Sequence, residues 1–365
     1  MISKDLRQFQ MTFDFLLHRL PQTFVVLWVV TLPPLYHVHV NAFQAKQLNQ
    51  AEGCDFSQGQ WVVDESYYPL YDASSDCPFI VQGFDCLING RPDQDYLKYR
   101  WKPSACDLPR FDGVKFLETY RGKKITFVGD SISDNTWQSL ACLLHIAVPE
   151  SKYTLTRLTK HLSMFLFEEY QVTIMWVKDG YLVDAFRDTE KGRILKLDSI
   201  TSWDMWNGDV LIFNTYHWWF HTGQTPTYFQ VGNEIIDMDN MEAYRIGLTT
   251  WSNWVDSNID PSKTTVIFQG IAAAHSGENH CINQTLPEEG SMPTYPGVDI
   301  VKSVLSNMKN QVYWLDITLQ TQLRIDGHPS IYTGRGTSYE DCSHWCLAGA
   351  PDTWNEILYA VLLRN

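Results

Sequence analysis

The sequence predicts an α/β fold, a mainly parallel β-sheet flanked by helices, with a disulfide-rich N-terminal module packed on it. Three observations carry this. Short apolar runs alternate with amphipathic helical stretches from Gly122 onward. The region from Gly53 to Asp112 is rich in Cys, Pro, Gly, Asp and aromatic residues and has little helical periodicity. The first 45 residues differ from both.

In that leader, Lys4, Arg7 and Arg19 precede an apolar run of nine residues, 24–32, followed by Pro33-Pro34. A spanning helix needs ~20 apolar residues. The run therefore suits a signal-peptide core; read through its prolines it would make a poor signal anchor with a short stem. Either reading sends the rest of the chain into the secretory pathway. A buried N-terminal strand is the competing reading. The eight cysteines agree with that address, because an even number in a translocated chain suggests disulfides, with the pairing left open. Asn283-Gln284-Thr285 is a glycosylation sequon, a tripeptide that also arises by chance.

Composition narrows the class. The 365 residues hold 28 Lys+Arg against 42 Asp+Glu, a net charge of −14, with 44% hydrophobic and 19% charged residues. That excludes a disordered or collagen-like polymer. It also argues against nucleic acid as partner, since phosphate affinity comes from clustered Lys and Arg. Aromatic residues make up 14%, enough to fill a core and to offer platforms for sugar rings.

From Gly122 the elements follow in order. Residues 125–128 form an apolar run that stops at Gly129, a strand. Trp137, Leu140, Ala141, Leu144 and Val148 share one face of a helix beginning near Asn135. Val172, Ile174 and Trp176 alternate as a strand, and residues 210–213, 266–268 and 312–315 are further buried strands. Met241, Tyr244, Leu248, Trp251 and Val255 line one helix, and Val301, Val304, Leu305 and Met308 line another. Pro351 opens a terminal helix carrying Trp354, Ile357, Leu358 and Val361. Ligands of such sheets bind beyond the carboxyl ends of the strands.

Ser131 stands at such an end, in Gly129-Asp130-Ser131-Ile132. A helix N-terminus there directs N–H groups toward developing negative charge, and a base would make the serine a nucleophile. The plainer reading is a helix-capping serine, with Asp130 and Asp134 competing for the cap. Far downstream lies Asp341-Cys342-Ser343-His344-Trp345-Cys346. On a helical turn Asp341 and His344 share a face, so the carboxylate can hold one imidazole nitrogen while the other faces Ser131. A histidine between structural cysteines and a metal cluster are the alternatives, the latter weakened by an oxidising compartment. The order Ser, Asp, His matches α/β-hydrolases, although Ser133 replaces the last glycine of their elbow.

Asn214, in Phe213-Asn214-Thr215-Tyr216-His217-Trp218-Trp219, follows a buried strand and is either an oxyanion donor or a turn residue. The tryptophan pair can stack on sugar. His217 and His221 are four apart, but Trp218 stands where a zinc protease needs Glu. Residues 324–330, Arg-Ile-Asp-Gly-His-Pro-Ser, read as a polar turn. Gly334-Arg335-Gly336 lacks the third glycine of a dinucleotide fingerprint, and no Walker loop is present. No metal is implied.

Several pieces occur together: Cys54-Asp55, Gly59 with Trp61-Val62, Tyr68-Pro69-Leu70-Tyr71, Cys77-Pro78-Phe79-Ile80, Trp101-Lys102-Pro103, Cys106-Asp107-Leu108-Pro109-Arg110-Phe111, Gly129-Asp130-Ser131, and the Asp341 to Cys346 block. In this order they resemble the plant trichome birefringence-like family, relatives of the powdery-mildew-resistance protein PMR5. The resemblance runs from Cys54 to the C-terminus. It implies an SGNH/GDSL-hydrolase-like fold and an O-acetyltransferase of cell-wall polysaccharides, with a module at 53–112 and a catalytic domain at 113–365. Ser131 would be nucleophile, His344 base and Asp341 its orienter. Beside these roles, the reading of the residues themselves has Asn214, Gly129, Asp130 and Asn135 serving the oxyanion or substrate, His217, Trp218 and Trp219 as sugar contacts and Asn283 as the glycosylation site. The implied disulfides are Cys54–Cys106, Cys77–Cys142, Cys86–Cys346 and Cys281–Cys342.

The resemblance also implies a Golgi-lumenal protein on an N-terminal signal anchor, residues 1–45, or a secreted wall protein if that segment is a cleaved signal peptide. No cofactor is bound; an acetyl donor is required. The partner is the polysaccharide acceptor, and no obligate protein partner follows. The acceptor would be pectin or a hemicellulose such as xylan or mannan, with the 213–219 segment closest to the pectin branch. Asp134-Asn135-Thr136 departs from the Arg-Asn-Gln of many members, which bears on acceptor contacts. The charge of −14 disfavours a polyanionic acceptor unless local basic residues offset it. Two other functions compete: an acetylesterase using the same triad, and a non-catalytic protein that bridges pectin and maintains its esters.

Overall fold

A two-stranded antiparallel ribbon, β1 (Gly59–Val63) with β2 (Tyr99–Pro103), opens the part of the chain that the computed structural model describes. That part is residues 54–363 apart from 160, 202, 221–225 and 277–279. The leader and His221 therefore lie outside the described residues. No helix among the described residues is long and apolar enough to cross a membrane.

Between the ribbon strands sits the short helix α1 (Ala73–Asp76), with Asp72 capping its first amides. Next come α2 (Gly113–Thr119), β3 (Lys124–Gly129), α3 (Ser131–Ala147), β4 (Tyr153–Thr159), β5 (Leu162–Phe167) and β6 (Val172–Lys178). They are followed by β7 (Asp184–Asp188), β8 (Gly192–Lys196), β9 (Val210–Asn214), α4 (His217–Phe220), β10 (Thr227–Val231) and β11 (Glu234–Ile236). The chain closes with α5 (Asn240–Asn258), β12 (Thr265–Gln269), α6 (Val298–Ser306), β13 (Val312–Leu315), α7 (Thr318–Gln322) and α8 (Ala350–Leu362).

The central sheet has the order β13-β12-β9-β3-β6-β5-β4. Strands β13 to β6 pair in parallel, as the alternation of strand and helix signals predicts, while β4 and β5 add an antiparallel edge. A second, four-stranded sheet, β11-β10-β8-β7, was not foreseen. The ladder register puts Val128, Met175, Val177, Leu211, Phe213, Val266 and Phe268 on one face, in one core with Leu248, Trp251 and Val255 of α5. The other face carries α3, which packs against β3, β6, α2 and α8. The terminal and the two downstream helices fall where their apolar spacing puts them.

Strand β3 is the turning point of the topology, because the chain later lays β6 on one side of it and β9 on the other. Such a switch opens a crevice at the carboxyl ends of the strands. The N-terminal module is fastened to the sheet domain by buried polar and covalent links. Tyr68 Oη donates to Glu356 at 2.5 Å and Tyr71 Oη donates to Asp352 at 2.7 Å. Burial pushes Glu356 up to about 8 and Asp352 up to about 6. Cys77–Cys142 and Cys86–Cys346 join module to domain, Cys54–Cys106 links the module's two ends, and Cys281–Cys342 closes a later loop. These are the pairs the resemblance implies.

Candidate active site

The nucleophile candidate is placed by regular structure. β3 ends at Gly129, which sits in the ladder between Lys178 of β6 and Asn214 of β9. A Cβ on Gly129 would lie 2.3 Å from both the Asn214 carbonyl oxygen and Ser133 Oγ, so only glycine fits. Asp130 follows as helix cap, its Oδ1 accepting from the Ile132 N–H at 2.8 Å. The helix thus starts at Ser131, earlier than the apolar face from Trp137 suggests, because Asp130 supplies the cap. Ser131 is relieved of capping and sits half-buried in the first turn.

The base candidate is placed by an irregular segment. Residues 341–346 do not make a helical turn; Asp341 organises them instead. Its Oδ1 accepts from the Ser343 N–H at 3.1 Å, the Ser343 hydroxyl at 3.0 Å and the His344 N–H at 3.0 Å. Its Oδ2 accepts from His344 Nδ1 at 2.6 Å. That bond puts the ring proton on Nδ1 and leaves Nε2 as the acceptor. Burial opposes protonation of His344, but the hydrogen bond and charge of Asp341, with Asp130 and Asp134 beyond, hold it above the ordinary imidazole value. Burial would raise Asp341, yet the His344 partner and the two amides hold it below the usual carboxylate range.

The two sides are joined through Asn135, one turn after Ser131. Its Oδ1 accepts from the Trp345 N–H at 3.0 Å and its Nδ2 donates to the Trp345 carbonyl at 3.0 Å. The amide therefore braces the residue beside His344. Phe84 of the N-terminal module lies 5.6 Å from the His344 ring, centroid to centroid. Among the described residues no hydrogen bond links Ser131 to His344. Such contacts commonly tighten only when substrate binds.

Around this edge several buried polar atoms lack partners: Asp130 Oδ2, Ser133 Oγ, Asn214 Oδ1 and His217 Nε2. Asn214 Nδ2 donates to the Gln269 and Gly270 carbonyls, each at 3.2 Å, tying β9 to the end of β12. Burial lowers His217 and raises Asp130, and each favours the charged form of the other. Burial pushes Asp134 up to about 6, against the pull of Gln138, His344, Arg157 and Lys178.

One expectation is corrected. Trp219 is only 2% exposed, its Nε1 donating to Thr215 Oγ1 at 2.9 Å and its ring packed on Gly247, so it is core rather than a sugar platform. Residues 324–330 do turn, at Ile325–Gly327, and the turn is buried. Arg324, Asp326 and His328 are buried, with Arg324 Nε donating to Asp326 at 2.8 Å. Trp218 remains half-buried, lying against Gly180 with Lys178 Nζ 5.3 Å and the Arg193 guanidinium 5.7 Å from a ring centroid. Neither cation forms an ion pair with a described carboxylate. The sequence reading passed over both; a Lys ending an alternating strand beside Gly129 was the available signal. Asn283 is exposed, with φ of 60°.

Residues 108–361 match the GDSL/SGNH-like acyl-esterase family found in Pmr5 and Cas1p, and residues 52–107 match the PMR5 N-terminal domain. Among curated proteins, trichome birefringence-like 42 of Arabidopsis thaliana is 52% identical, over 86% of this chain and 90% of its own length. Trichome birefringence-like 39 of the same plant is 50% identical over 86% of this chain and 88% of its own, and trichome birefringence-like 43 is 48% identical over 86% and 89%.

Proposed function

The chain belongs to the GDSL/SGNH-like acyl-esterase family found in Pmr5 and Cas1p, and on that footing we propose that it is an O-acetyltransferase of plant cell-wall polysaccharides. Membership itself carries acyl transfer or ester hydrolysis. The observation behind the catalytic reading is the 2.6 Å bond from His344 to Asp341, held beside the helix that starts at Ser131.

In the first step Ser131 Oγ attacks the carbonyl carbon of an acetyl donor while His344 Nε2 takes its proton. Asp341 stabilises the imidazolium. The Ser131 N–H at the helix N-terminus faces the oxyanion, a donor worth about 3 kcal/mol when well placed. The tetrahedral adduct collapses, His344 protonates the departing group, and acetyl-serine remains. In the second step a sugar hydroxyl gives its proton to His344 and attacks the acetyl carbon, and Ser131 recovers its proton. Water in place of the sugar gives the esterase outcome, so the ratio depends on how the cleft excludes it.

Lys178 and Arg193 beside Trp218 favour pectin as acceptor, since a uronate ring offers both an apolar face and a carboxylate. They supply local positive charge within a chain of net −14. The four disulfides support lumenal residence, on a signal anchor or after cleavage of residues 1–45.

The test incubates the purified protein and its Ser131→Ala variant with an acetyl donor and de-acetylated oligogalacturonide, xylan or mannan oligosaccharides, read by mass spectrometry. Acetylated sugar from the wild type alone is expected, with oligogalacturonide preferred. Free acetate alone would favour the esterase. Oligosaccharide binding without any product would favour a bridging protein, and full activity of Ser131→Ala would refute the scheme.

A further inference from the structure

Behind the Asp341–His344 pair lie two histidines that the acetyl-transfer scheme leaves without a task. His275 follows β12 and His328 sits in the 324–330 segment, 8% and 1% exposed. Three contacts define them. His328 Nδ1 is 2.6 Å from the carbonyl oxygen of His344, and His275 Nε2 is 2.9 Å from the carbonyl oxygen of Gln322. The inner nitrogens, His275 Nδ1 and His328 Nε2, are 2.7 Å apart. Carbonyl oxygens only accept, so both outer nitrogens must carry hydrogens. A nitrogen pair at hydrogen-bond distance also needs a proton between its members, because two bare lone pairs would repel there. Two imidazoles with three protons on four nitrogens carry one positive charge.

We propose that His275 and His328 share this proton as a buried pair, and that His328 thereby positions the backbone of His344. The inference rests on the reading of His344 as the base.

The surroundings contain both signs of charge. Glu288 and Asp326 face His275, and Asp341 faces His328. The protonated pair is opposed by His344 and by Arg91, whose Nη1 donates to the His328 carbonyl at 3.0 Å and whose Nη2 pairs with Asp93 at 2.9 Å. Arg324 is already paired with Asp326. The Trp345 indole lies over the His328 ring, centroids 4.1 Å apart, a contact that favours a cation. Burial drives both imidazoles toward neutrality. A neutral pair, however, has two protons for three contacts and must give up one of them. His275 lets go of Gln322, His328 lets go of His344, or the two inner nitrogens part. The pair is therefore poised, and one of these three neutral forms loosens the base.

Nitrogen-15 NMR of histidine-labelled wild-type protein counts the protons without reference to activity. Three ring N–H signals from the pair are expected, one far downfield and slow to exchange, and it should vanish in His275→Gln. Two neutral rings with two N–H signals would overturn the shared proton. Positioning is tested by His328→Gln, which lacks a donor where Nδ1 sits, against His328→Asn, whose amide can replace it. His328→Gln should lower kcat on the order of tenfold to a hundredfold with KM unchanged, and His328→Asn should recover most of it. Wild-type kcat in His328→Gln, or equal loss in both variants, would refute positioning. If either variant fails to fold, the wild-type spectrum still decides the pair. Full activity in Ser131→Ala would sink the acetyl-transfer reading and leave the proton count standing.

Discussion

Ser131 and His344 meet at one edge of the same sheet but are held there by opposite means. The serine belongs to a strand, a glycine and a capped helix, all set by residues within a few positions of it. The histidine belongs to a segment with no helix or strand of its own. Its supports come from afar: the exchange of backbone hydrogen bonds between Ser330 and Asp341, the Asn135 amide, the Leu347 N–H on the Phe84 carbonyl at 2.9 Å, and Cys86–Cys346. The lesson is about fragility. Local order protects Ser131, the proposed nucleophile, whereas His344, the proposed base, depends on several remote links at once.

The sharpest way to break that contrast is to remove each group in turn. Ser131→Ala and His344→Ala should each cost about 10⁴-fold or more in transfer rate. Thermal unfolding should then separate them. Ser131→Ala leaves no buried partner behind, while His344→Ala strands the Asp341 carboxylate, 11% exposed, and should lower the midpoint. Equal stability of the two variants would remove the asymmetry.

A second comparison concerns the cross-links. Replacing Cys86 and Cys346 with serine opens a closure of 260 residues, and replacing Cys54 and Cys106 opens one of 52. Each should destabilise by about 2–5 kcal/mol, more for the longer loop. Only the first pair borders His344, the proposed base, so only its loss should lower kcat at temperatures where the protein remains folded. Activity assays beside denaturant titration check this.

Asn135→Ala offers a smaller effect on the same axis, because it uncouples Trp345 from α3 without touching either reacting group. A fall of about tenfold to a hundredfold in kcat is expected, with the midpoint little changed.

The gentlest probe is pH. His344 is held above the ordinary imidazole value and must be neutral to act, so the acid limb of kcat/KM should lie above that value, and Asp341→Asn should move it down. Glu356, away from the site, makes stability fall with rising pH, whereas activity is expected to rise. Its folded carboxyl binds a proton more tightly than the unfolded one, so its stabilisation is full below 4.5 and is lost as pH rises toward about 8. Glu356→Gln should flatten that slope in a pH series of thermal midpoints.

Much of this was legible in residue order, for reasons the two regions make plain. The core strands are continuous apolar runs because both faces are covered, and they stand where those runs predict. Ser131 could be singled out because a strand ending in glycine announces its own geometry. The Asp341–His344 pairing could also be read, but not its conformation, since an aspartate-organised turn and a helical turn share the same spacing. Burial of Trp219 and of Arg324 to His328 could not be read at all. Their partners, Gly247 for one and Tyr96, Arg91 and Trp61 for the other, lie far away in sequence. The strands β4 and β5 do alternate, yet an edge hairpin looks locally like any amphipathic pair.

The bond between Cys86 and Cys346 also orders events in time. Cys346 is made 260 positions after its partner. The Cys86–Cys346 frame beside His344 cannot close until Cys346 has been made and an oxidant has been met. A copy that stops short of Cys346, or one kept reduced, therefore holds Ser131 at the end of its strand and lacks the link that helps to set the His344 segment opposite it.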